Sequence, residues 1–247
     1  MESVPIFDNP VHVVLLGDSI FDNGVYVRSD SSVHDHLSKY LSKSPSSKAT
    51  LLARDGATLS GVPSQLSRLP KDTTHIFLSA GGNDALGELH RLREPTRNLR
   101  EALVVLGKIR TSFEKDYTEV LRAIKLKAPT TETGRPRVTV CNIYNPRPDA
   151  RETPRMHPEM SGVDEGDAWN DPEQVAMEVG LSMYNDVIVA VAAREEVPVI
   201  NVRGLFNEAA DYSTPIEPGV QGGGKLARAM LNVLSEEDFS GRTSVYT

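Results

Sequence analysis

Three residues near the start of this chain each stand just past an apolar run, and together they could carry out acyl transfer. Ser19 follows VHVVLLG (11–17) in the stretch LLGDSIFDNG. Gly56 follows ATLLAR (49–54) in RDGATLSG, and Asn83 closes THIFLSAGG (74–82) in SAGGNDA. Attack on a carbonyl needs a hydroxyl, and the oxyanion that forms needs donors aimed at it. Ser19 brings the hydroxyl and, at a strand-to-helix turn, a backbone N–H. Gly56 marks a tight turn, and Asn83 offers an amide where Gly81 and Gly82 leave room for close approach. Each also has an ordinary reading, as a helix cap or turn punctuation. Their joint placement after three successive runs favours the chemistry.

The elements that must position them alternate. Runs at 11–17, 49–54, 74–82, 136–144 and 197–202 read as strands. Stretches at 31–43, 60–69, about 96–127, 172–196 and 222–234 read as helices, with Val33, Leu37 and Leu41 on one face of the first. This alternation predicts a parallel sheet with helices on both faces, whose ligands bind beyond the carboxyl ends of the strands. The chain reads as one domain, 1–247, with a loop at 145–170 and a polar, disordered tail at 235–247. That loop has 26 residues and four prolines, long enough to be a lid or a solvated excursion.

These motifs resemble the SGNH hydrolases, also called the GDSL esterase/lipase family, over nearly the whole chain. Ser19 in GDS matches the family nucleophile, Gly56 in RDG the second-block glycine and Asn83 in GGND the third-block asparagine. The resemblance implies a flavodoxin-like three-layer α/β/α sandwich with a five-stranded parallel sheet. It also implies an oxyanion hole built from the Ser19 and Gly56 N–H groups and the Asn83 amide.

The last family block, Asp-x-x-His-Pro followed by a glycine and a helix, is altered here. TPIEPGVQGGGKLA (214–227) puts Thr214 at the aspartate, Glu217 at the histidine, Pro218 at the proline and Gly222 at the glycine. The GGGK run is not a phosphate loop: Leu226 replaces the required Ser or Thr, and no strand precedes it. Lys225 is expected on the solvent face of the last helix. A free Glu has a pKa of ~4.3 against ~6.5 for His, so Glu217 becomes a useful base only where burial raises it. Thr214 would orient it. His90 and His157 are the other candidate bases, whereas His12 lies within the first strand and packs or faces an edge, His75 starts the third strand at the wrong end for the site, and His34 and His36 do not share a helix face. Asp18, Asp22 and Asp84 would make the pocket acidic and bind substrate, or would simply cap helices and fix loops. His157 and Trp169, both in the long loop, are the remaining substrate-binding candidates.

Composition narrows the alternatives. A net charge of −7 lacks the basic footprint of a nucleic-acid surface. Cys141 is the one cysteine, sits in an apolar run and reads as a buried hydrophobe. No stretch reads as a signal peptide or a membrane span, which points to the cytoplasm. No cofactor is implied, and no ligand spacing marks a metal site. The expectation is a serine esterase acting on small acyl or acetyl esters, with Glu217 as an atypical base. The alternative is an inactive relative that binds a small ligand. Substrate identity and oligomeric state are not legible.

Overall fold

A computed structural model describes residues 5–130, 134–147, 172–236 and 244–246. The strands are β1 (His12–Gly17), β2 (Lys48–Leu51), β3 (His75–Ser79), β4 (Arg137–Cys141), β5 (Val199–Ile200), β6 (Tyr212–Thr214), β7 (Glu217–Pro218) and β8 (Val245–Tyr246). The helices are α1 (Val33–Leu41), α2 (Val62–Leu66), α3 (Gly82–Gly87), α4 (Leu99–Lys127), α5 (Pro172–Arg194), α6 (Val202–Leu205) and α7 (Val220–Ser235). Six strands form one parallel sheet in the order β2-β1-β3-β4-β5-β8, while β6 and β7 pair antiparallel as a separate hairpin. The first five strands have the flavodoxin-like order, whose switch point falls between β1 and β3.

Side-chain alternation builds three layers. Val14 and Leu16 of β1, Ile76 and Leu78 of β3, and Val140 of β4 point to the core shared with α2, α4 and α5. Val13, Leu15, Phe77 and Cys141 point the other way, against Leu37 of α1 and Leu226 and Met230 of α7. Successive strand residues face opposite sides, so a sheet covered on both faces needs unbroken apolar runs. VHVVLLG is one. Cys141 is buried and burial pushes its thiol pKa far up, which leaves it an inert packing group.

Local chemistry sets the ends. Ser32 caps α1 reciprocally: its hydroxyl accepts from Asp35 N–H at 3.1 Å, and its own N–H donates to Asp35 Oδ2 at 3.0 Å. The glycine run in α7 is a close-packing device. A Cβ on Gly222 would come within 2.2 Å of the Asp211 carbonyl oxygen, and Gly223 packs directly on Val33 of α1. At the end of β1, Gly17 takes φ +119°, and a Cβ there would meet the Ser79 carbonyl oxygen at 1.7 Å. The buried Gln65 amide clamps the same residue, accepting from its N–H at 2.7 Å and donating to its carbonyl at 2.8 Å.

Four expectations need correction. The segment before the GGGK run, DYSTPIEP (211–218), read as holding no strand, carries the antiparallel β6–β7 hairpin. The sheet has six strands, because Val245–Tyr246 from the polar tail pairs with β5. Lys225 does not face solvent freely: its Nζ pairs at 2.8 Å with Asp211, whose side chain is fully buried. α5, with 23 residues and an 18-residue stretch of mean hydropathy 1.4, is long and apolar enough to cross a membrane by length and composition. Its apolarity serves two protein surfaces: Tyr184, Val187, Ile188 and Val191 join the core, and Met177, Leu181 and Met183 line a cavity. Substituting Gly17→Ala combines a forbidden φ with a backbone clash, so chemical denaturation should show a loss on the order of 3 kcal/mol. A loss under about 1 kcal/mol would mean the β1 turn is not the rigid pivot described here.

Candidate active site

The end of β1 turns at Gly17 so that Asp18 N–H donates to the Ser79 carbonyl at 3.0 Å. Asp18 is 2% exposed and points into the fold, its Oδ1 accepting from Ile20 N–H and Ser79 Oγ, each at 3.2 Å. Burial raises its pKa to about 7. Ser19 follows with its side chain on the cavity wall. Among the described residues, neither the Ser19 nor the Gly56 backbone N–H has a protein partner. Both remain available to an anion.

The loops beyond β1, β2 and β3 are stapled to one another by short polar side chains. Asp22 Oδ2 accepts from Asp55 N–H at 2.9 Å, and Tyr26 OH donates to Asp55 Oδ2 at 2.8 Å. Asp84 accepts from Leu59 N–H at 3.1 Å. Asn83 Nδ2 donates to the Ala57 carbonyl at 2.9 Å, which fixes the amide and leaves its second hydrogen free. Gly56, with φ +74°, lies between the stapled Asp55 and Ala57; it flanks the cavity rather than lining it. Asp22 and Asp84 therefore hold loops by accepting backbone hydrogen bonds, and neither lines the cavity, against the expectation that they bind substrate.

Glu217 arrives from the β6–β7 hairpin. Asn23, fully buried, donates from Nδ2 to the Pro218 carbonyl at 3.0 Å and accepts from Val33 N–H at 3.0 Å, tying the hairpin to the Ser19 loop and to α1. Tyr144 OH donates to the Ile216 carbonyl at 2.5 Å, with its ring stacked 4.7 Å from Phe206. Asp211 anchors the other side, accepting from Asn207 and Glu208 N–H groups and from Lys225. Asn23 and Asp211 escaped the sequence reading; a lone amide or acid beside apolar residues was the available signal.

Glu217 is 6% exposed. Burial raises its pKa to about 8; the neighbouring Ser19 hydroxyl pulls it down, and the charges of Asp55 and Asp18 push it up. The Ser19 contact is electrostatically felt, but no hydrogen bond of ordinary length and angle joins the two side chains, and Glu217 Oε2 has no partner. Thr214 faces Glu217 across the hairpin, yet its Oγ1 accepts only a long 3.4 Å bond from Ile216 N–H and none links it to the Glu217 carboxyl. Its expected orienting role finds no hydrogen bond here.

No histidine takes the place of the absent one among the described residues. His90 is exposed, bonded to the Gly87 carbonyl and off the cavity wall. His12 bridges Asp72 and Thr50 at the amino end of β1, and burial lowers the pKa of His75 to about 4. His157 and Trp169 lie outside the described residues. The described residues hold no group of three His, Cys, Asp or Glu side chains arranged for a metal.

The cavity itself was not legible. It spans about 900 Å³ counting the part open to solvent, with Asp18, Ser19, Asn83 and Glu217 at one end. Leu86, Leu89, Leu106, Ile109, Ile143 and Leu181 make up much of the rest. Asn185 sets that wall, pairing both its amide groups with the Ile143 backbone at 2.7 Å. α4 explains the shape. Its 29 residues extend ~43 Å, far past sheet strands of two to six residues. Only its later part, from Phe113 to Ile124, is buried against the sheet, and Leu106 and Ile109 project over the site.

The raised pKa values of Glu217 and Asp18 carry a stability consequence. Each holds its proton more tightly folded than at its ordinary value of 4.5 or 3.8, so the stabilisation is full below those values and lost as pH rises through about 8 and 7. Thermal melts of the wild type should therefore fall from pH 5 to pH 9. Glu217→Gln should flatten the upper part of that decline and gain about 1–3 kcal/mol at pH 9. Parallel curves for the two proteins would contradict the burial described.

Solved structures share this architecture. A phospholipase A1 from Streptomyces albidoflavus is 19% identical, with 92% of this chain and 98% of that one covered at a TM-score of 0.59. An extracellular lipase from Streptomyces rimosus is 17% identical, covering 92% and 100% at 0.57. An acetyl xylan esterase from Geobacillus stearothermophilus is 15% identical, covering 92% and 96% at 0.56. At these identities the likeness is one of fold. No curated protein sequence matches the chain. The family model for GDSL-like lipases and acylhydrolases matches residues 15–222, from the Ser19 loop to the start of α7, and the chain belongs to that family.

Proposed function

We propose that this hydrolase is a serine esterase in which Ser19 is the nucleophile and Glu217 the base, acting on carboxylic esters with an apolar acyl chain. The observation that carries the reading is the Ser19 hydroxyl beside a buried carboxyl at the head of an aliphatic cavity. Ionised Glu217 takes the Ser19 proton as Oγ attacks the carbonyl carbon. The oxyanion is met by the Ser19 and Gly56 N–H groups and the Asn83 amide. Collapse expels the alcohol, which leaves with the proton held on Glu217. Water then attacks the acyl-serine, giving its proton to Glu217, which passes it to Ser19 Oγ as the acid product departs. A carboxylate with a pKa near 8 is a stronger base than an ordinary one, but it is ionised only on the alkaline side. The aliphatic wall supports a chain of several carbons over an acetyl group.

One observation favours a second reading, a ligand-binding protein on the same scaffold: Glu217 keeps its proton up to about pH 8, which leaves Ser19 without a base at neutral pH.

The two readings separate in a labelling experiment. On the esterase reading, a phosphonofluoridate labels Ser19 stoichiometrically at a rate that climbs with pH through an ionisation near 8. Glu217→Gln loses that ionisation and about 10²–10⁴ in kcat/KM on an aryl hexanoate. Equal, slow labelling of both proteins at pH 9 removes Glu217 as the base. Asn83→Ala should lower kcat by about 10²–10³ with little change in KM; a change confined to KM would place Asn83 in ground-state binding instead.

A further inference from the structure

The cavity leaves two carboxylate oxygens without a hydrogen-bond partner, Glu217 Oε2 beside Ser19 and Glu88 Oε2. Glu217 Oε2 is buried without a hydrogen-bond partner, in a side chain 6% exposed. An orphaned polar atom of this kind has lost its water without gaining a partner, and is destabilising until a donor reaches it. The titratable groups facing Glu217 are Asp18 beyond β1, Tyr26 in the same loop, Asp55 beyond β2 and Tyr144 beyond β4. All are acids. Glu88 adds another carboxyl to the wall, 3.9 Å from Arg91, and among the described residues no lysine, arginine or histidine lines the cavity. The site thus offers a buried acceptor and negative surroundings at Glu217, and a wall that is largely hydrocarbon apart from Glu88.

We propose that the cavity takes a ligand bearing both an apolar chain and an ammonium group, with the ammonium on Glu217 Oε2 and the chain along Leu86, Leu106, Ile109 and Leu181. For turnover this rests on the esterase reading, and it narrows the substrate to an ester carrying a cation near the scissile bond; for binding it stands alone. An ammonium supplies the missing donor as a charge-assisted hydrogen bond. It also favours the ionised carboxyl, as any opposite charge within ~4–6 Å does. Because Glu217 otherwise holds its proton until about pH 8, binding at lower pH must release one. A neutral alcohol of equal length does none of this.

Calorimetric titration of the full chain with hexylammonium and with 1-hexanol tests the idea. At pH 8.5 the wild type should bind hexylammonium at least tenfold more tightly, with the margin narrowing toward pH 6. At pH 7, titrations in two buffers of unlike ionisation enthalpy should reveal release of up to one proton. Glu217→Gln should bring the two ligands within twofold and abolish proton release. Equal affinities in the wild type at pH 8.5, or an ammonium preference that survives Glu217→Gln, overturn the proposal. If the variant fails to melt cooperatively, wild-type proton release decides alone. Ser19 labelling reports separately: labelling without ammonium preference sinks this proposal and keeps the esterase, and the converse does the reverse.

Discussion

Both faces of the parallel sheet are covered, and that constraint governs everything else in the molecule. Strands buried on each side leave room for few polar side chains, such as Ser79 and Thr139. Chemistry is pushed to the carboxyl ends, where the chain turns and backbone N–H groups are left unpaired. Ser19, Gly56 and Asn83 are the first usable positions past β1, β2 and β3. Gly17 makes the first turn possible, and the Gln65 clamp keeps it rigid.

The loops at that edge would be soft on their own. Asp22, Asp84 and Asn83 convert them into one unit by bonding to the backbone of the neighbouring loop. Asn23 extends the unit to the hairpin that carries Glu217. The free energy of burying a carboxyl there is met by the surrounding packing, chiefly Tyr144 and Phe206 stacked on each other with the hairpin's own Tyr212 edge-on to both. A raised pKa is thus a property of the whole scaffold rather than of one side chain.

Much of the fold was readable because burial on two faces writes a simple pattern: VHVVLLG and THIFLSA admit no other element. The loop positions of Ser19 and Asn83 followed from it. What stayed hidden depends on direction. Asp22 and Asp84 have the composition of ligands, but their oxygens turn to amide hydrogens of the next loop. Lys225 looked like a surface residue because nothing in its neighbourhood announces that Asp211, fourteen positions earlier, is buried beneath it. Leu106 and Ile109 repeat at helical spacing like any core residue; only the overshoot of α4 makes them a cavity wall. β8 was missed because two residues give no period.

That overshoot separates two jobs along a single rod. The half of α4 from Phe113 onward pays for folding, Ile109 both packs on the edge of that core and lines the cavity, and Leu106 a turn earlier faces the cavity without joining the core. Leu106 is the position free to drift in size without disturbing the layers below. A lineage built on this chain can therefore retune which molecules it accepts while its thermal robustness stays where it was.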